Sequence, residues 1–322
     1  MKITDIRTIV VGNPWKNWVF VVVETSDGIS GLGEATGGLS TMPNKEAVEE
    51  IKHLAIGKNP LEISNIVDEL YKALFLKMTP AVAAIEIACW DILGKHLKVP
   101  IYQLLGGKVR DKVRVYANGW YSGERSPENF GEKAKSLADK GYTALKFDPF
   151  GSEYLRLDKE SEIFIKKIVR SVRDSVGPNV ELMIEGHKRF NTVEAIKIAN
   201  WLNEFEVTWF EDPIDNDDID SLIHVSNNSP VRIIAGEGFD DHKDFTRFVS
   251  SNATDIVNPE VMRIGGISGA VKVAGICSSF DAELAFHNAE SPLKTMTNLQ
   301  LCGAINNIYI QECFDEFNED WI

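Results

Sequence analysis

At 322 residues, with 44% hydrophobic side chains and a formal net charge of −14, the chain is long enough for a (β/α)₈ barrel of about 250 residues and one smaller companion. The charge argues against nucleic-acid or anionic-membrane partners, both of which need a positive surface, and no apolar run approaches the roughly 20 residues of a membrane helix. Met1 to Asp5 lacks an apolar core with a small-residue cleavage site, and Cys89, Cys277, Cys302 and Cys313 form no Cys-x-x-Cys pair, so a cytoplasmic protein with reduced cysteines is expected.

Lys2 to Val10 and Trp18 to Glu24 alternate like antiparallel strands, and Ser26-Asp27-Gly28 turns into Ile29 to Glu34, which predicts a β-meander. From Asn44 to Leu97 the apolar spacing becomes helical, with breaks at Gly57 to Pro60 and Met78 to Pro80; three helices fit. Gly106-Gly107 and the charged stretch Lys108 to Lys112 mark a boundary, giving an α+β domain over residues 1–111 and a second domain over 112–322. Eight short apolar strands then recur, each but the last followed by a helical pattern: Val113 to Ala117, Ala144 to Asp148, Glu181 to Glu185, Thr208 to Glu211, Ile233 to Glu237, Asp255 to Glu260, Glu283 to His287 and Ile308 to Glu312. This is the signature of an α/β fold built on a parallel barrel.

The chemistry stands at the strand ends. Glu185, Glu211 and Glu237 close three successive strands, one strand–helix unit apart, so they converge above the C-terminal face where barrel active sites lie. Three hard oxygen ligands suit Mg²⁺, which keeps other positions for water and substrate. A single glutamate there often does no more than solvate the barrel mouth, but three in register point to a metal. Asp215 to Asp220 reads as a solvated acidic loop. Lys146 and Asp148 share one strand face, and Lys146 is costly to bury without an anion. Glu260 and His287 fall on neighbouring strands, a carboxylate able to orient an imidazole. His187 follows Glu185 by two residues and faces the same cavity, and Glu312 closes the eighth strand. His53, His96, His224 and His242 read as surface or satisfied core residues.

At these residues the chain resembles the enolase superfamily in its mandelate-racemase-like branch, most closely the archaeal-type gluconate/galactonate dehydratases. The likeness runs over nearly the whole chain. Trp90 to Lys95 and Leu104 to Gly107 mark the superfamily; Val115 to Tyr121, Ala144 to Gly151 and Ala285 to Ala289 point to sugar-acid dehydratases. The resemblance implies a capping domain over a TIM-type (β/α)₇β barrel, with Glu185, Glu211 and Glu237 holding Mg²⁺. It further implies that His287, oriented by Glu260, removes the proton beside the substrate carboxylate. Mg²⁺, Lys146 and Glu312 then hold the enediolate, and His187 protonates the departing 3-hydroxyl. Enolase-type sites with a Lys or His base and Mg²⁺ are a known pattern. Asp148, Asn288 and Lys146 are implied substrate contacts. The implied product is a 2-keto-3-deoxy sugar acid, and the implied assembly a homo-oligomer.

Asp148 stands where two-base racemases of the branch carry a second lysine, so one base and one acid favour elimination. Racemase, epimerase or cycloisomerase chemistry on the same scaffold is the alternative enzyme reading, and a decayed binding relative the non-enzymatic one. Gly238, Lys188 and Gly186 depart from the residues usual in relatives. The chain stops at Ile322, soon after Glu312, so a C-terminal return to the cap is expected to be missing. Gly12 to Trp18 and Gly37 to Asn44 are the candidate specificity loops.

Overall fold

The computed structural model describes residues 1–12, 16–73, 79–215 and 217–314. The N-terminal part is an antiparallel sheet in the order β1 (Ile3–Val11), β2 (Trp18–Thr25), β3 (Ser30–Glu34), with Ile6, Val19, Val21 and Val23 on its buried face. The three expected helices follow: α1 (Thr41–Ile51), α2 (Ile63–Ala73) and α3 (Thr79–Leu97). Thr79 and Pro80 do not form a turn; they open α3, a position where proline loses no helical hydrogen bond. Met78 lies outside the described residues.

Glycine brings α3 against the sheet. A Cβ on Gly31 or Gly33 would fall 2.0 Å from the Ala88 carbonyl oxygen or 1.9 Å from that of Ala84, so only glycine permits this approach. On its other side α3 presents Glu86, fully buried, to the barrel. Its carboxyl accepts from Trp90 Nε1 (2.7 Å), Ile267 N (2.9 Å) and Ser268 N (2.8 Å). A short helix, α4 (Ile101–Leu104), not anticipated from the sequence, completes the cap.

The barrel alternates strand and helix: β4 (Val115–Asn118), α5 (Pro127–Asp139), β5 (Ala144–Phe147), α6 (Lys159–Val176), β6 (Glu181–Glu185), α7 (Thr192–Leu202), β7 (Val207–Glu211), α8 (Ile219–Asn227), β8 (Arg232–Ile234), α9 (His242–Ser250), β9 (Ile256–Val257), α10 (Gly266–Ser278), β10 (Glu283–Leu284), α11 (Pro292–Ala304) and β11 (Gln311–Phe314). Eight strands and seven crossover helices make a (β/α)₇β barrel beneath an N-terminal cap.

Six strands pair continuously in the order β11-β4-β5-β6-β7-β8, all parallel, and β9 pairs with β10. Single contacts close the ring: Asn258 N donates to Ala235 O (3.3 Å), and Leu284 exchanges bonds with Asn307 and Tyr309 (2.8 and 2.9 Å). Most of the crossover helices start at a side-chain cap. Ser126, Asp158, Asn191, Asp218, Asp241 and Ser291 each accept from a backbone N–H in the first turn, satisfying donors that have no partner within the helix.

Three strands end three residues before the sequence pattern suggests. β8 ends at Ile234 because Gly236 turns to φ +148°, where a Cβ would lie 3.0 Å from Phe245 and 3.2 Å from the Asn258 backbone. β9 ends before Pro259, which has no N–H for the ladder. Glu237, Glu260 and His287 therefore stand three residues past their strands, and Glu312 lies inside β11 and does not close it.

Candidate active site

Each strand, or the residue adjoining it, contributes one side chain to a plug across the barrel interior. Tyr116, Ala144, Met183, Trp209, Ile234, Ile256, Ala285 and Ile310 form one buried cluster. Because side chains alternate with period two, the residue two positions further on surfaces at the mouth. Those residues are Asn118, Lys146, Glu185, Glu211, Gly236, Asn258, His287 and Glu312. An apolar layer topped by a polar ring is thus written into every strand. At the one glycine the ring is empty, and the neighbouring Glu237 and Glu260 carry the pattern on.

Lys146 is the hub. Its Nζ, 1% exposed, lies 2.6 Å from Glu211 Oε1, 3.0 Å from Glu312 Oε1 and 3.1 Å from Glu185 Oε2. Burial alone would drive its proton off, but Glu211, Glu312 and Glu185 hold the ammonium well above its usual range. One ammonium does not balance three carboxylates. Burial and repulsion from Glu185 push Glu211 well above the usual carboxylate range, and Glu211 Oε2 is buried without a hydrogen-bond partner. Asn258 Nδ2 donates to Glu211 Oε1 (2.8 Å) and Asn118 Nδ2 to Glu312 Oε1 (2.6 Å). Burial would raise Glu312, but Lys146 and His287 lower it.

Glu237 joins from the next strand. Its Oε2 is 3.2 Å from His287 Nε2, and its Oε1 is 3.4 Å from Lys188 Nζ, which also lies 3.5 Å from Asp212. These cations overcome burial and bring Glu237 down to about 2. Lys188, a departure in the sequence, thus pairs with the Glu237 carboxylate. On the other ring nitrogen, His287 Nδ1 is 2.5 Å from Glu260 Oε2. Burial lowers the imidazole, but Glu237 and Glu260 outweigh it and hold His287 at about 9.

Across the mouth, His187 Nδ1 lies 2.7 Å from Asp148 Oδ2. His187 and Lys188 both adopt left-handed backbone (φ +48° and +58°), a tight turn held by His187 N donating to Glu185 Oε1 (2.8 Å). The His187 side chain is 53% exposed. Desolvation in the cleft works against its charge, and Glu185 and Asp148 raise its pKa above the usual value. Arg189 Nη2 also reaches Asp148 (2.5 Å).

A cavity of about 1220 Å³ lies between cap and barrel, lined by Lys146, Asp148, Glu185, His187, Glu237, Glu260 and His287 together with Gly37, Gly38, Ser40 and Asn44 of the cap. The second candidate specificity loop therefore faces the site. Of the first, Lys16 lines the cavity and residues 13–15 lie outside the described residues. Glu211 and Glu312 belong to the same ring but are fully buried and do not line the cavity.

Asn288, an expected substrate contact, is buried and supports Glu312: its backbone N donates to Glu312 Oε2 (2.6 Å) and its Nδ2 to Thr295 and the Glu312 carbonyl, while its Oδ1 has no partner. Sequence reasoning also missed Asn118 and Asn258, which the two-residue offset from the plug would have found, and Lys294, for which the sequence holds no signal. Lys294 Nζ bonds Glu260 Oε2 and lies 2.5 Å from Glu290 Oε2. Among the described residues, Glu260, His287 and Glu290 gather ligand atoms within 4.8 Å of one another. The Lys294 ammonium already serves as the cation of that group.

A capped parallel barrel with paired histidines over strand-end carboxylates is an enzyme architecture. Family comparison agrees: residues 7–106 match the mandelate racemase/muconate lactonizing enzyme N-terminal domain and residues 129–321 the enolase C-terminal domain-like family. The chain belongs to the mandelate racemase/muconate lactonizing enzyme branch of the enolase superfamily. It is 36% identical over 313 residues to D-gluconate dehydratase of Thermoproteus tenax, covering 95% of this chain but only 63% of that protein. It is 37% identical over 317 residues to D-gluconate/D-galactonate dehydratase of Picrophilus torridus, covering 96% and 81%. A crystal structure of a Mesorhizobium loti protein classed as a dehydratase superposes with a TM-score of 0.95 at 30% identity, covering 99% of this chain and 88% of that one. No helix among the described residues is long and apolar enough to cross a membrane.

Proposed function

We propose that the chain is a Mg²⁺-dependent hydro-lyase that removes water from an aldonic acid such as gluconate or galactonate, giving a 2-keto-3-deoxy acid. The observation that carries this is the placement of two carboxylate-bound histidines, His287–Glu260 and His187–Asp148, around one cavity above the Lys146 cluster. The Thermoproteus tenax and Picrophilus torridus relatives are named for dehydration of this substrate class. The division into a cap over residues 1–111 and a barrel from 112 onward, a cytoplasmic location and a homo-oligomeric state belong to this reading.

Glu185, Glu211 and Glu237 would hold the Mg²⁺. The fit rests on the uncompensated carboxylates around Lys146 and on Glu211 Oε2, which has no partner. Once bound, the ion supplies positive charge where the substrate carboxylate gains electron density. His287 is the base in its neutral form: Glu260 accepts the Nδ1 proton, which fixes the tautomer, and Nε2, whose proton the free Glu237 carboxylate favours, would be released to remove the proton from C2 once Glu237 holds the ion. The Lys146 ammonium, pre-positioned in a buried site, stabilises the enediolate that results. His187, whose protonated form Glu185 and Asp148 favour against the cost of burial, delivers a proton to the leaving 3-hydroxyl. With an aspartate at 148, the His187 face holds an acid and no second base, which favours elimination over racemisation.

The test is incubation of the protein with Mg²⁺ and gluconate, galactonate or xylonate, with assay for 2-keto-3-deoxy acids. Product is expected with at least one substrate, and none after chelation or in His287→Asn. Product that survives both controls would overturn the assignment.

A further inference from the structure

The reacting histidine is the end of a buried chain of charges that the reaction as described does not use. Lys16 Nζ, from the cap, lies 3.1 Å from Glu290 Oε1. Glu290 Oε2 is 2.5 Å from Lys294 Nζ, Lys294 Nζ bonds Glu260 Oε2, and that same oxygen is 2.5 Å from His287 Nδ1. The side chains of Lys16, Glu290, Lys294 and Glu260 are at most 8% exposed. Two ammonium groups face two carboxylates, so the set is balanced. Glu34, which touches the same segment through Ser291, is pushed up to about 7 by burial, so it carries only part of a charge near neutral pH.

Buried ion pairs are poor sources of net stability, since desolvation offsets most of their attraction. A chain of four such groups ending at a histidine therefore asks for another role. Glu260 Oε2 is shared: without Lys294 the carboxylate keeps His287 Nδ1 on Oε2 and the Met262 N–H (2.9 Å) on Oε1 but loses its charged partner on α11. Lys294 supplies that third restraint and shares the oxygen that orients the ring. It sits on α11, and its second bond to Glu290 ties the dyad, through Lys16, to the cap wall of the cavity.

We propose that Lys294 is a positioning residue for the dehydration, holding the Glu260 carboxylate, and through it the His287 ring, in register with the cap by way of Glu290 and Lys16. The proposal rests on the reading of His287 as the base. It makes no direct contact between Lys294 and substrate, so substrate binding should be spared and the chemical step slowed.

The experiment compares wild type with Lys294→Met, Lys294→Arg and the charge-balanced Glu290→Gln/Lys294→Met, each checked for folding by circular dichroism. Steady-state kinetics are run on the aldonic acid that the wild type converts, and the His287 ring N–H is followed by proton NMR without substrate. Lys294→Met and the double variant are expected to lose on the order of 10- to 100-fold in kcat, with KM changed by less than about threefold. Lys294→Arg should recover most of the loss. The low-field ring N–H should shift or vanish in the two Met-bearing variants and persist in the Arg variant. If the single variant fails to fold, the double variant decides. A folded variant with kcat within about twofold of wild type and an unmoved ring N–H overturns the proposal. If the wild type converts no aldonic acid, the dehydratase reading fails, and the NMR arm still decides whether Lys294 holds the dyad.

Discussion

Two buried lysines, Lys146 and Lys294, occupy the same barrel mouth, each bonded to more than one carboxylate, yet their surroundings differ in sum. Around Lys146 stand Glu185, Glu211 and Glu312, three carboxyl groups to one ammonium, with Glu211 driven toward its protonated form and one of its oxygens left bare. Around Lys294 the charges cancel once Lys16 is counted. The difference is instructive because local charge balance, more than the presence of carboxylates, separates a site that still needs a cation from one already complete. The first is the place for a metal and reacting charge; the second is scaffolding for the base.

The sharpest way to break this contrast is at the hub. Lys146→Met removes the cation on which the enediolate charge falls, and kcat is expected to drop on the order of 10²- to 10³-fold in a steady-state assay; retention of wild-type turnover would make Lys146 as structural as any buried pair.

A smaller effect sharpens the same point without any substrate. Mg²⁺ at about one hundred times its dissociation constant should stabilise the fold by about 2.7 kcal/mol, read as a rise in Tm. Glu211→Gln should abolish the rise, while Glu290→Gln, in the balanced cluster, should keep it. Equal loss in both would mean the two clusters do not differ as their charges indicate.

Glu86 supplies a third case, a buried carboxyl served by neutral donors. Burial, opposed by Ser268, Ile267 and Trp90, holds it at about 7 against an ordinary 4.5. The folded state therefore keeps its proton to higher pH than the unfolded chain. Glu86's contribution is fully present below about pH 4.5 and declines as pH rises to 7, by at most about 3 kcal/mol. Denaturant titrations of wild type and Glu86→Gln across that window should differ by a pH-dependent gap, and a constant gap would show that Glu86 ionises in the fold as it does in the open chain.

Most of the barrel could be read from the alternation of its strands. Leu182-Met183-Ile184-Glu185 shows in four residues why Met183 plugs the interior and Glu185 reaches the mouth, and the same offset applies at Trp209 and Glu211. The strand boundaries were harder, because Gly236 and Pro259 end the ladder for reasons of backbone conformation that an apolar run does not reveal. The bonds of Asn288 to Glu312 were not legible either, since proximity to His287 in sequence does not say which way an amide turns once Glu312 offers it a partner. Lys294 had no signal at all. It follows a helix N-terminus among polar residues, where a lysine is ordinarily solvated, and only the closure of the barrel brings Glu260 and the cap's Lys16 within reach. Contacts between cap and barrel depend on how two domains dock, a level that local patterning does not encode.

The most direct test of dehydration is to run the reaction on the accepted aldonic acid in D₂O with Mg²⁺ and follow it by NMR. Abstraction at C2, loss of the 3-hydroxyl and ketonisation of the enol require a 2-keto-3-deoxy product with solvent deuterium at C3. Deuterium appearing at C2 of unreacted acid with no keto product would contradict elimination and assign the site to racemase or epimerase chemistry.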